Sequence, residues 1–225
     1  MVSTNVDLVQ IIDNTGSMTP YIDSVKKMAL GFHKELESRL AEYQREIETL
    51  RVKVILFRDL DYEGSEAFVQ SRFFELPREE KEYSDFVNGI ECDGGGDAAE
   101  SGFEAVALGM CSDWNAEGDK KRHIIMFCSD APPKTIKGPC SLVQGLPDSM
   151  KEFKSWWCDA QTGKMDPRAK RMIVFAPECP EWNEVCEEFP MVFYKAVEPG
   201  AGLADLEKEI LFKTLCGTIT SNGAN

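Results

Sequence analysis

Asp13, Thr15 and Ser17 place three small oxygen-bearing side chains at two-residue steps, directly after the apolar run Leu8, Val9, Ile11 and Ile12. A carboxylate and two hydroxyls offered by a turn at the end of a strand suit a hard divalent cation, which takes such oxygens together with water. They supply half of a site. The chain offers the other half in two places. One is Gly94-Gly95-Gly96-Asp97-Ala98-Ala99-Glu100, a glycine turn running into a helical pattern; the other is Ser129-Asp130, at the end of HIIMFCSD. Asp97 and Glu100 are three residues apart at an expected helix start, so both can face one side of its first turn. Clustered carboxylates repel one another without a cation, so convergence of the three segments points to a metal. Taken singly, each has a plainer explanation: Ser17 and Asp97 suit helix N-caps, and Asp130 can simply end its strand.

The surrounding pattern shows how these segments are positioned. Residues 6–13 are short, apolar and β-branched, which predicts a buried strand. Pro20 opens a helical stretch to about residue 49, with Ile22, Val25, Met28, Ala29, Phe32, Leu36 and Leu40 at three- and four-residue steps. Further strands are expected at 52–58, at 67–76 along an edge, and at 123–130, 171–176 and 191–197. Helices are expected at 79–90, 99–112, 149–158, near 182–188 and at 203–216. Apolar strands separated by amphipathic helices predict an α/β fold. It would be a Rossmann-like doubly wound sandwich with a mostly parallel central sheet, one antiparallel edge strand and helices on both faces. Ligands of such sheets bind at the carboxyl ends of the strands. That edge receives Asp13, Asp130 and the glycine turn.

The 225 residues show no internal repeat, low-complexity segment or linker, which predicts a single domain over 1–225 with its core from about 5 to 218. Lys and Arg number 25 against 39 Asp and Glu, a net charge of −14 that disfavours nucleic acid and anionic membranes as partners. No apolar run reaches the roughly 20 residues of a spanning helix, and MVSTNVDLVQ lacks the basic start of a signal peptide. A cytoplasmic protein is expected. Its eight cysteines are scattered, none in CxxC, and only His33 and His123 could assist them; reduced thiols are expected and zinc is weakly supported. Trp156, Trp157 and Trp182 fall at helical positions and read as core or core rim.

D-x-T-x-S after the first strand, a distant acidic second loop and a third-loop aspartate resemble the metal-ion-dependent adhesion site of von Willebrand factor A domains. The usual first motif there is D-x-S-x-S, and Thr15 keeps the hydroxyl. The second loop, GDAAESGFEAV, is similar to the D-x-P-E-G-G-F-D-A stretch found in the A domains of integrin β chains, with Ala99 at the proline position. The resemblance implies metal ligation by Asp13, Thr15, Ser17, Asp130 and Glu100, with Asp97 in a supporting or neighbouring role. Asn14, Gly96 and Ser129 flank these ligands. Arg58 and Asp59, at the end of the second strand, either support the site or form a local ion pair. The implied cation is Mg²⁺, with Mn²⁺ or Ca²⁺ as alternatives. FRD at 57–59, GGGD at 94–97, SDAPP at 129–133 and KRMIVFAPE at 170–178 look like bacterial single-domain A proteins of tellurite-resistance-type gene clusters, which often lie beside protein kinases and phosphatases.

The function so implied is a protein-binding module that ligates an Asp or Glu of a partner protein through the metal. That partner belongs to a kinase or phosphatase system in the related clusters. The enzyme alternative is a haloacid-dehalogenase-like phosphotransferase using Asp13. Its chemistry calls for a second acid two residues on, where this chain has Thr15. No GxxxxGK[ST] occurs, so a P-loop is excluded.

Overall fold

Side chains alternate across β1 (Val2–Asp13). Val6, Leu8 and Ile12 enter a core under one face of the sheet, and Val9 and Ile11 enter a second core under the other, as the two-residue period of a strand requires. The structure is a computed structural model that describes residues 2–42, 45–118 and 120–197. β1 pairs in parallel with β2 (Arg45–Phe57) on one side and β5 (Lys121–Cys128) on the other. β6 (Lys170–Pro177) and β7 (Val192–Val197) extend the parallel sheet beyond β5. Two short strands, β3 (Phe68–Gln70) and β4 (Phe74–Leu76), run antiparallel along β2. The order is β3-β2-β1-β5-β6-β7, with β4 also on β2.

Helices cover both faces. α1 (Ile22–Glu42) and α3 (Glu80–Asn88) send Val25, Ala29, Leu36, Tyr83 and Val87 into the first core. α2 (Leu60–Glu63) is a single turn after β2. α4 (Gly102–Met110), α5 (Met150–Cys158) and α6 (Pro180–Glu188) close the second core with Val106, Phe153, Trp156, Trp157 and Trp182. The three tryptophans are core residues. Gln10 is fully buried in the first core and accepts a hydrogen bond from Tyr83 Oη at 2.9 Å.

The mixed α/β class, mostly parallel sheet and antiparallel edge are as expected. β1 begins at Val2 rather than residue 6, and several element ends shift by one or two residues; three further differences have a physical reason. The helix expected to run to residue 49 ends at Glu42, and Arg45–Leu50 are strand. Arg, Glu and Leu favour helices, but here pairing with Val2–Thr4 on β1 decides the backbone. The edge strand is broken at Ser71, whose amide donates to Val54 O at 2.9 Å while its Oγ accepts from Val54 N at 2.8 Å, so a side chain completes the ladder. The fourth helix begins at Gly102, not residue 99, because Glu100 bridges in parallel with Pro133. The helix expected at 203–216 lies outside the described residues. Among the described residues, no helix is long and apolar enough to cross a membrane.

Candidate metal centre

β1, β2 and β5 end at a common edge, and the loops that follow them are cross-linked there by backbone hydrogen bonds. Asn14 N donates to Phe57 O and Asp93 N to Asn14 O, each at 3.1 Å, and Gly16 N donates to Gly94 O at 3.1 Å. The Asn14 side chain donates to Glu91 O at 3.2 Å. The first loop is thus held by β2 and by the segment before the glycine turn. Asn14 positions backbone rather than offering a free oxygen to a ligand.

Asp13 is fully buried at the end of β1. Its Oδ1 accepts from Thr15 N at 2.9 Å and from Thr15 Oγ1 at 2.6 Å, while its Oδ2 accepts from Ser129 Oγ at 2.6 Å. Thr15 Oγ1 lies 3.1 Å from Ser17 Oγ, which donates to Asp130 Oδ1 at 2.9 Å. One chain of hydrogen bonds therefore runs from Ser129 through Asp13, Thr15 and Ser17 to Asp130. Burial pushes the Asp13 carboxyl up to about 6, against hydrogen bonds from Ser129 and Thr15 that favour its charged form, and Asp130 adds to the rise. Ser17 does not cap a helix; its hydroxyl is committed to Asp130.

Glu100 closes the site from the second loop. Its amide donates to Pro132 O at 3.0 Å, and its carbonyl accepts from Lys134 N at 2.8 Å, so the second and third loops run as paired strands for one step. Its side chain is 4% exposed, and Oε2 has no hydrogen-bond partner in the protein. Oε1 lies against Gly95, where an added Cβ would stand 3.3 Å from Oε1 and 3.3 Å from Thr15 Cβ. Gly95 has φ +92°, so it is glycine for both its conformation and its space. At Gly96 a Cβ would overlap the Tyr62 ring; that glycine shapes the turn. Burial, then the neighbouring Asp13 and Asp59, drive the Glu100 carboxyl up to about 8. A carboxylate buried without a partner or counter-charge is costly.

Asp97 is placed differently from the expectation that it and Glu100 share one face of a helical turn. The turn is not helical there. Asp97 Oδ1 accepts from Ala99 N at 3.0 Å and Oδ2 pairs with Lys134 Nζ at 3.3 Å. The Ala99 hydrogen bond foremost holds its carboxyl below the usual range. Lys134 is the residue that sequence reasoning missed. Its Nζ sits 2.8 Å from both oxygens of Asp59, which is fully buried, and 3.0 Å from Asp61 Oδ2. Burial opposes its charge, but hydrogen bonds to Asp59, Asp61 and Asp97 outweigh that and hold it well above the usual lysine range. Only its place directly after SDAPP hinted at it, as a lysine next to the third acidic loop.

Arg58 and Asp59 each form an ion pair, though not with each other: Arg58 Nη1 lies 3.4 Å from Glu63, whose Oε1 accepts from Gly95 N at 3.2 Å. Both act by fixing the glycine turn. The structure therefore brings Asp13, Thr15, Ser17, Ser129 and Asp130 into one hydrogen-bonded array, sets Glu100 and Thr15 on either side of Gly95, and leaves Asp97 with Lys134. Among the described residues no three His, Cys, Asp or Glu side chains form a metal cage by themselves, so a cation at this edge would draw on the Thr15 and Ser17 hydroxyls and on water. His123 lies elsewhere, buried in contact with the Trp114 ring, with Nε2 2.9 Å from Asn115 O. Seven cysteines are unbridged thiols, and Cys216 lies outside the described residues.

No protein-family model matches the chain. The Alpha-protein kinase vwkA of Dictyostelium discoideum is 27% identical over 127 residues, which is 56% of this chain and 18% of the kinase. Two crystal structures of the pilus adhesin SpaC from Lactobacillus rhamnosus GG align with 96% of this chain. One, in an open conformation, has a TM-score of 0.53 at 12% identity; the other has 0.57 at 11%. The likeness to the adhesin is one of fold. This chain spans less than a third of the length of either protein.

Proposed function

We propose that the chain is a divalent-metal-dependent protein-binding module of the von Willebrand factor A type. The observation that carries this reading is Glu100: a buried carboxylate with an oxygen lacking any protein partner, sharing the space over Gly95 with Thr15 and within the field of Asp13. Such a group fits a cation that the chain itself does not supply. Asp13, Thr15, Ser17, Asp130 and Glu100 would hold it. Hydroxyl, carboxylate and water oxygens suit Mg²⁺ first, with Mn²⁺ or Ca²⁺ as alternatives. Bound there, the cation would supply a local positive charge able to accept an Asp or Glu carboxylate from a partner protein, despite the chain's net charge of −14.

The chain's own residues do the positioning. Asp13 orients the Thr15 hydroxyl and amide, Ser129 anchors Asp13, and the Lys134–Asp59 pair fixes the loop before Glu100. A partner in a protein kinase or phosphatase system is the first class to examine, given the partial similarity to a kinase. A cytoplasmic setting with reduced cysteines belongs to the same proposal. The phosphotransferase alternative gains less support: both oxygens of Asp13 accept hydrogen bonds, and the residue is fully buried.

Thermal melting tests the reading. Saturating Mg²⁺ is expected to raise the melting temperature of the wild type and to leave Asp13→Ala unmoved. Equal stabilisation of both proteins would remove the site.

A further inference from the structure

Beside the edge that holds Asp13 and Glu100 lies a cavity of about 490 Å³, between α2, the first turns of α4 and the loop that follows Lys134. That size falls in the roughly 300–1,000 Å³ range of small-ligand pockets. Leu60, Ser101, Ile136 and Leu142 form part of its wall. Its acidic groups are Asp61, 65% exposed at the rim, and Glu104, 8% exposed.

Glu104 is unusual. Its Oε2 has no hydrogen-bond partner in the protein, and the charges acting on it are Asp61, Asp59 and Lys134. Lys134 does not answer it, because its ammonium is committed to Asp59, Asp61 and Asp97. Lys137, the other cation along the wall, is exposed, and Cys140 contributes a half-buried thiol. The wall's own donors, the Lys134 and Lys137 ammoniums and the Ser101, Thr135 and Ser141 hydroxyls, thus leave the buried Oε2 of Glu104 without a partner. The upward displacement of the Glu104 acid, to about 7 and mainly by burial, agrees with a missing positive partner.

We propose that this pocket receives an arginine side chain of the partner protein, whose guanidinium donates to Glu104 while its aliphatic stem lies along Ile136 and Leu142. A guanidinium presents several donors in a fixed planar fork, which matches a carboxylate better than an ammonium does. Leu142 is 60% exposed, so apolar surface is available at the pocket wall for the residues flanking that arginine. Lys134 N is bonded to Glu100 O, so pocket and metal edge share one loop. A partner would then be read at two points, an acidic residue at the metal and a basic one in the pocket. The pairing of the two points rests on the proposed metal site; the pocket's preference for a guanidinium does not.

The test uses N-acetyl-argininamide as probe, titrated into the ¹⁵N-labelled full chain with EDTA present and followed by NMR. Saturable shifts are expected at Ser101, Glu104, Ile136 and Leu142. The neutral analogue N-acetyl-citrullinamide is expected to bind about tenfold more weakly. Glu104→Gln, which keeps the shape, should weaken the arginine probe by a similar factor, and the rim variant Asp61→Asn by less. Asp13→Ala should bind it as the wild type does, whatever becomes of the metal. Absence of saturable shifts would overturn the assignment. So would equal affinity for the two probes, undiminished binding by Glu104→Gln, or loss of binding in Asp13→Ala, which would place the guanidinium at the first loop.

Discussion

Asp7 and Asp13 lie on the same strand and are almost equally buried, at 1% and 0% exposed, yet the chain treats their charges differently. Asp7 receives Arg51 through both oxygens, Nε to Oδ1 at 2.8 Å and Nη2 to Oδ2 at 2.6 Å, and accepts from Asn115 N at 2.6 Å. Arg51 in turn lies over the Phe73 ring at 4.6 Å, and its hydrogen bonds to Asp7 raise its own affinity for the proton. Asp13 receives only hydroxyls and an amide, and the charges beside it and Glu100 are mostly acidic. Asp59 repeats the first pattern with Lys134. Where this fold buries a carboxylate for structure, it encodes the cation as well. At the edge formed by Asp13 and Glu100 it does not, and that is the difference the proposed cation would remove.

Arg51→Met would break the comparison hardest. It leaves Asp7 buried without its counter-charge, a loss expected to cost about 3 kcal/mol whether or not Mg²⁺ is present. The urea midpoint measures it, and a Mg²⁺-dependent loss would erase the distinction between the two aspartates.

Asp13→Asn is expected to act in the opposite direction when divalent ions are absent. The Asp13 carboxyl titrates near 6 in the fold against 3.8 in the open chain, so the folded state holds its proton more tightly. Below pH about 4 this group leaves stability unchanged. As pH rises from about 4 through 6, the metal-free wild type loses stability on its account, and Glu100 continues the loss toward pH 8. At pH 8 Asp13→Asn should therefore be more stable than the metal-free wild type by up to about 3 kcal/mol, with Ser129 Oγ able to turn from donor to acceptor. Urea midpoints of both proteins between pH 4.5 and about 8.5 would show it. Added Mg²⁺ should reverse the order by stabilising the wild type alone.

The smallest effect on the fold belongs to Ser17→Ala. Its hydroxyl is exposed and links Thr15 to Asp130, so the loss of stability should stay within about 0.5–1 kcal/mol, while Mg²⁺ affinity should fall at least tenfold. A large loss of stability with unchanged affinity would make the hydroxyl array structural.

The sheet was legible in the sequence because β5 and β6 carry the continuous apolar runs at 124–128 and 172–176, and β1 the nearly continuous run at 8–12, whose burial on both faces leaves little choice of structure. Residues 45–50 were not, since their helix-favouring composition yields to pairing with the start of β1. At the edge, Asp13, Thr15 and Ser17 could be grouped from spacing alone, because one turn carries all three. Glu100 and Asp97 could not be told apart, because a lysine more than thirty positions along the chain separates their roles. Glu104 was invisible as well. In the sequence it is one more acid on a helix, and only the cavity beside it shows that its charge is unanswered.

Calorimetric titration of Mg²⁺ at pH 7, in two buffers of different ionisation enthalpy, tests the metal site most directly. Glu100, with its carboxyl raised to about 8, is mostly protonated there and must lose its proton to serve a cation. The expected result is binding with release of on the order of one proton per ion, with the release nearly gone above pH 9 and absent in Glu100→Gln. No binding, or binding with the same proton release in Glu100→Gln, would contradict a cation held between Glu100 and the Asp13–Thr15–Ser17 turn.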